Sequence, residues 1–423
     1  MNSETTITCE VDALLDAWRR NKRKAAGMKR MMRGVRGWAA ALVCAACGLA
    51  GADELLIQSF DGTGQLTFNT LNDGTNYNYR VEWAPAPSGP WSTFEGARPW
   101  LDVIQGAAGG IVTSAVPMCY RVVATRGEYL AVDLSGGTNA ASYPVAYYRT
   151  LADVPGGPNS DAYKTTSLLM RLIPKGRFTM GSPSVELGWY SDETQHPETL
   201  AQDFHIGVFE VTQRQWELVM GKKPSFFTNV AYYASRPVEQ VSYYDIRENP
   251  SGSGSAISPN WPATNAVGAA SFMGRMRAKT GMTFDLPTEA QWEYACRAGT
   301  TTALNSGKNL ASTAQDANMS EVGRNFHNGP STVGYGKAVD TSGGTAKAGS
   351  YQPSARGLYD MHGNVKEWCL DWYPGYEGTF RILRGGGWLD DAESCRAACR
   401  FVEYPSARYN LYGFRAVLPS SQQ

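Results

Sequence analysis

The sequence predicts an α+β fold, loop-rich and irregular, preceded by a small all-β sandwich-like module. Three observations carry that reading. Between residues 53 and 126, short runs alternate apolar and polar side chains and are separated by Asp-Gly turn signals, the pattern of half-buried strands. Beyond residue 165 the helical signals are brief, each opened by a capping residue. Glycine numbers 45 of 423 residues, alongside 22 Tyr and 12 Trp, which suits long loops pinned by large side chains.

Residues 1–52 read as a leader and an export signal. Lys29, Arg30, Arg33 and Arg36 make a basic stretch, Trp38 to Ala50 is an apolar run too short to span a bilayer, and Ala50-Gly51-Ala52 is a small-residue cleavage site. A start at Met28 or Met31 would make residues 1–27 surplus. Cleavage near Ala52 predicts a protein that is secreted, periplasmic or held at the cell surface, with no transmembrane segment. Export makes disulfides permissible. The remaining cysteines, Cys119, Cys296, Cys369, Cys395 and Cys399, are odd in number, so one thiol is free or pairs outside the chain.

In residues 53–126, Leu66-Thr67-Phe68 and Tyr79-Arg80-Val81-Glu82-Trp83 alternate, Asp61-Gly62 and Asp73-Gly74 mark turns, and Tyr120-Arg121-Val122-Val123 reads as a closing strand. Trp83, Trp91 and Trp100 suit core and edge packing better than a ligand platform. Residues 127–164, with Pro155-Gly156-Gly157-Pro158, read as a linker. Leu168 to Ile173 is a strand. Thr212 to Met220 is a short helix, with Thr212 and Gln215 as a capping box. Ala266 to Thr280 is a second helix ended by Gly281. A third follows Thr288, with Gln291 closing its box. Residues 300–356 lack periodicity and read as long structured loops.

Lys plus Arg and Asp plus Glu both number 39, so the net charge is zero, and no basic stripe in the body of the chain supports nucleic-acid binding. The four histidines, His196, His205, His327 and His362, have no zinc-protease spacing. Glu239 and Asp245 are candidate ion-pair partners for Arg384 and Arg400, since buried charges need partners. Chemistry concentrates in the run Gly357 to Trp368. There Asp360 and Glu367 are hard oxygen donors, and Gly363-Asn364 permits a sharp turn that can aim carbonyls inward, as a calcium site requires.

That run has ordered companions: Ile173 to Ser182, Phe209-Glu210-Val211-Thr212 through Trp216, Arg236 to Ser242, Asp285-Leu286-Pro287-Thr288-Glu289 through Gly299, Arg384-Gly385-Gly386-Gly387-Trp388, and Gly413-Phe414-Arg415. Together, over roughly residues 165–418, they resemble the formylglycine-generating-enzyme or sulfatase-modifying-factor family, whose fold is an irregular relative of the C-type lectin fold. The resemblance implies a structural calcium held by Asp360, Glu367 and the carbonyls of Gly363 and Val365. A second calcium site would begin at Asn318, with no carboxylate placed for it downstream. It also implies a disulfide between Cys296 and Cys395.

Family enzymes oxidise a sulfatase cysteine with a cysteine pair that binds Cu(I), a metal suited by soft thiolates. Counted from the Gly-Gly block, that pair falls on Asp390 and Cys395. Counted back from Gly413-Phe414-Arg415 the register differs by three, and Cys395 matches neither position. The copper pair is broken either way, and Cys395 with Cys399 or Cys369 would have to rebuild it. Copper is therefore not expected. The expected role is a recognition module for a protein or glycan ligand, with an active copper oxidase as the alternative.

Overall fold

The computed structural model describes residues 127–228, 233–247, 267–329 and 343–419, together with the backbone of six strands between residues 57 and 125. The leader at 1–52 lies outside the described residues. Of two compact units, the second runs Glu128–Gln422. In the first, β1 (Ile57–Phe60), β2 (Gln65–Asn69), β3 (Asn78–Ala84), β4 (Ile104–Gln105), β5 (Ile111–Ala115) and β6 (Cys119–Thr125) form two antiparallel sheets, ordered β1-β2-β5 and β4-β3-β6.

The second unit is mixed α and β, with several sheets and few, short helices. Its first elements are β7 (Tyr129–Asp133), β8 (Val145–Tyr148), β9 (Ser167–Ile173), β10 (Gly176–Met180), β11 (His196–Leu200) and β12 (Phe204–Gly207). The helices follow as α1 (Gln213–Met220), α2 (Tyr243–Ile246), α3 (Phe272–Thr280), α4 (Glu289–Arg297) and α5 (Ala317–Val322). Then come β13 (Lys366–Trp372), β14 (Arg381–Arg384), β15 (Arg400–Glu403), β16 (Tyr412–Gly413) and β17 (Val417–Pro419). One sheet has the order β17-β12-β9-β7-β8, a second β15-β14-β13-β16, and β10-β11 is a hairpin.

Residues 127–164 are therefore not a linker: they supply β7 and β8. The reason is that both faces of β7 are covered. Leu130 and Val132 are buried in the largest core, and Tyr129 and Ala131 pack in a separate cluster with Val154, Tyr163 and Phe209. The Pro-Gly runs punctuate the entry to the domain.

The capping signals translate directly. Thr212 caps α1 through Gln215, Thr288 caps α4 through Gln291, and both boxes are complete. The second helix begins later than its apolar pattern implies. Ser271 accepts from the Gly274 N–H at 3.0 Å and sets the start, while Gly281 ends the helix in the left-handed region. Residues 267–270 precede it as a turn. Trp216 on α1 stacks on Phe272 of α3 at 5.4 Å, and Phe414 meets Phe272 edge-on at 5.1 Å. These rings join the helices to the five-stranded sheet over one core. A second cluster, around Trp292, Ile173, Leu358, Met361 and Val417, sits beneath α4.

Candidate functional site

The turn between Asp360 and Glu367 is made by residues in unusual backbone states. Asp360 (φ 55°), Gly363 (φ 77°) and Asn364 (φ 63°) are all left-handed. Gly363 has no substitute: a Cβ there would lie 2.0 Å from the Arg324 carbonyl oxygen. Asn364 pins the turn, its Oδ1 accepting from Ala346 N–H at 2.8 Å and its Nδ2 donating to Glu210 at 2.6 Å.

Glu210, absent from the site drawn from sequence, is central to it. Its carboxylate accepts from the Asn364 amide and, at 3.1 Å, from the Val365 N–H. The Phe209-Glu210-Val211-Thr212 block carried the signal, but nothing local to it suggested a site. Glu367 is held bidentately by Arg415, at 2.6 to 3.0 Å, and accepts from Trp292 Nε1 at 2.7 Å. Asp360 Oδ2 accepts from Gly349 N–H at 2.6 Å, and its Oδ1 is buried without a hydrogen-bond partner.

All three carboxylates are buried, at 2 % exposure or less. One guanidinium, Arg415, is bonded to them, so the set carries excess negative charge. Burial, reinforced by Asp360 and Glu367, holds the Glu210 carboxyl well above its usual range. Burial pushes Asp360 up to about 6. Excess buried negative charge, hard oxygen donors and an orphaned Asp360 oxygen fit a divalent calcium ion. Against that, no group of three or more His, Cys, Asp or Glu among the described residues is disposed to hold a metal. Arg415 engages both Glu367 oxygens, so coordination would lean on Asp360, Glu210 and main-chain carbonyls. Asn318 is not drawn into this set. It lies on α5, where its amide donates to Asn309 O at 2.9 Å.

The cysteine segment is closed. Cys296, Cys369, Cys395 and Cys399 are buried and unpaired, so the expected Cys296–Cys395 bridge is not formed. The two thiols belong to different apolar clusters, and the His362 ring reaches from one residue to the other. Its Nδ1 lies 2.7 Å from Cys395 O, and its Nε2 accepts from Asn305 N–H at 3.0 Å and sits 3.7 Å from Cys296 Sγ. That pattern fixes the neutral tautomer with the proton on Nδ1, and burial lowers His362 to about 4. Burial pushes the thiols of Cys296 and Cys399 up to about 12, and those of Cys369 and Cys395 well above the usual thiol value. Cys395 ends a 3₁₀ turn and Cys399 closes another, its N–H donating to Arg396 O at 3.2 Å. Asp390 accepts from Gly387 N–H at 2.7 Å and pairs with Lys366 at 3.1 Å.

The anticipated ion pairs regroup. Arg384 binds Glu289 and Glu293, Arg400 binds Glu289, Asp245 binds Arg408, and Glu239 accepts from the N–H groups of Phe226 and Phe227. Sequence proximity to the motifs suggested partners that the fold does not bring together.

Residues 158–419 match the family described as the sulfatase-modifying factor enzyme 1-like domain. The chain belongs to this family. Chaperone protein LppX of Paenibacillus barcinonensis is 30% identical over 264 residues, covering 55% of this chain and 81% of that protein. The formylglycine-generating enzyme of Thermomonospora curvata is 31% identical over 196 residues, 39% of this chain and 59% of that enzyme. Among solved structures, PvdO from Pseudomonas aeruginosa shows 24% identity and a TM-score of 0.45, covering 60% of this chain and 94% of that one. The family match begins at residue 158, whereas the compact unit begins at Glu128, so β7 and β8 extend the sulfatase-modifying-factor domain ahead of the matched segment.

Proposed function

We propose that this protein is an exported, calcium-stabilised recognition module, in which a lectin-like sulfatase-modifying-factor domain no longer carries copper oxidation. The observation that supports it is the cysteine segment. Counted from the Gly-Gly block, an Asp390 tied to Lys366 and Gly387 stands at one family position and a buried Cys395 at the other; counted from Gly413-Phe414-Arg415, Cys395 matches neither. Cu(I) is suited by a pair of soft thiolates, and an Asp carboxylate is a poor substitute for one of them.

Calcium in this proposal is held by Asp360, Glu210 and the carbonyls of Gly363 and Val365, while Glu367, both of whose oxygens Arg415 engages, positions the turn. The ion would neutralise the buried acids and lock the turn on which β13 starts. Export rests on the basic stretch and apolar run before Ala52. No helix among the described residues is long and apolar enough to cross a membrane.

The deciding experiment is Cu(I) titration of the mature chain beside Cys395→Ser, followed by assay with a peptide carrying a sulfatase cysteine motif. The recognition reading expects no stoichiometric thiol-dependent binding and no conversion. Tight one-to-one binding lost in Cys395→Ser, with peptide oxidation, would establish the oxidase instead.

A further inference from the structure

The second unit carries a cleft of about 570 Å³ that the turn site does not use. Its walls are the β10–β11 hairpin, the first turn of α4 and the end of β13. Asp371, at the β13 end, accepts from the Glu289 N–H at 2.6 Å. Asp192 and Glu198 line the opposite wall. None of these three carboxylates forms an ion pair among the described residues. Arg400 also lines the cleft, but Glu289 grips its guanidinium at 2.6 and 2.7 Å, so its charge is already compensated. Anionic ligands would therefore meet carboxylates with no free cation. Thr288, Gln291 and Gln202 add neutral hydrogen-bonding groups.

A row of aromatic rings leads out of this cleft. Tyr373 stands at the rim, its hydroxyl donating to Asp192 at 3.3 Å. From it the ring centroids step 5.8 Å to Tyr376, 5.6 Å to Phe380 and 4.7 Å to Tyr404. The two outer tyrosines remain open, Tyr376 at 53% exposure and Tyr404 at 54%. Local packing accounts for the ring contacts but not for two large rings left half in water beside a polar cleft.

We propose that the cleft and this aromatic row together bind a neutral oligosaccharide. Each step along the row is comparable to the width of a sugar ring, whose C–H face packs on an aromatic face while its hydroxyls turn to carboxylate and amide groups. This division of labour, apolar surface for affinity and a few polar groups for orientation, is that of small-ligand sites generally. A cationic peptide is the weaker fit. Arg400 already lies over the Tyr373 ring at 5.4 Å, taking the aromatic face that a basic side chain would use. The inference deepens the recognition reading and rests on it, at a site separate from the calcium turn.

Isothermal titration of the full mature chain with cellohexaose, xylohexaose, mannohexaose and laminarihexaose tests it, with hexalysine as the cationic probe. At least one hexaose should bind, with affinity reduced about tenfold or more by Tyr376→Ala and by Asp371→Asn. Melting temperatures of both variants should match the parent, because Tyr376 is half-exposed and Asn keeps the acceptor for the Glu289 N–H. The proposal is overturned if no hexaose binds, if binding survives both variants, or if hexalysine alone binds and Asp371→Asn abolishes it. The Cu(I) titration reads the recognition role independently, so loss of the sugar site alone leaves that reading standing.

Discussion

Replacing Glu367 with alanine tests the turn site most severely. Glu367 satisfies Arg415 bidentately and Trp292 Nε1, all buried. Removing one partner of a buried ion pair costs about 3–5 kcal/mol, because the remaining charge is left uncompensated. Here Glu210 and Asp360 partly relieve Arg415, which places the expectation near the lower end, about 3 kcal/mol. The second unit, Glu128–Gln422, is about 295 residues. At about 2.1 cal/mol/K per residue its unfolding entropy is roughly 0.6 kcal/mol/K, so Tm should fall by about 5 °C. Calcium at a hundred times its Kd would raise the parent by about 2.7 kcal/mol, or about 4 °C, and Glu367→Ala, which leaves the Arg415 cation without its bidentate partner beside the turn, should lose most of that shift. Differential scanning calorimetry in calcium and in chelator reads both numbers. A parent Tm that is the same in the two buffers, or a variant that keeps the full calcium shift, would refute the reasoning.

The same cluster predicts a pH effect. Asp360 has a folded pKa of about 6, raised from 3.8, so its contribution is full below about 4 and is lost as pH rises through 6, by about 3 kcal/mol. Relative to chelator, calcium should therefore add more stability at pH 7.5 than at pH 4.5, and equal increments in parallel melts would contradict this. His362 acts with the opposite sign: its folded value of about 4 lies below 6.5, so stability is lost as pH falls from 6.5 towards 4. His362→Gln should flatten the acid limb of a urea-denaturation series, and an unchanged limb would show that the ring is not titrating there. Arg396 is fully buried against Glu186 and Glu193, and Arg396→Met should lower Tm by roughly 5–8 °C by calorimetry through about 3–5 kcal/mol of lost pairing. Cys296, Cys369, Cys395 and Cys399 should resist a maleimide in the native protein and label fully in denaturant, as mapped by mass spectrometry; native labelling of Cys395 or Cys399 would reopen the copper question.

What was legible in the sequence was local. Thr212, Thr288 and Gly281 marked helix ends because a capping hydrogen bond spans three or four residues and needs no knowledge of the fold. The left-handed turn at Gly363-Asn364 was readable for the same reason. What was not legible was long-range. Glu210 reaches Asn364 across 154 positions, and Arg415 reaches Glu367 across 48, through contacts no window contains. The linker reading failed at β7 because Tyr129 to Val132 is a short apolar run among turn residues. Only burial of both its faces makes it part of the central sheet. The expected disulfide is not formed: the two thiols lie in separate apolar clusters, and a buried imidazole that bonds the Cys395 carbonyl and the Asn305 N–H sits 3.7 Å from Cys296 Sγ. The calcium turn and the cysteine segment thus meet at His362, two residues after Asp360. His362 bonds the Cys395 carbonyl and the Asn305 N–H, so the cysteine segment is braced by the same turn that carries Asp360 and Glu367.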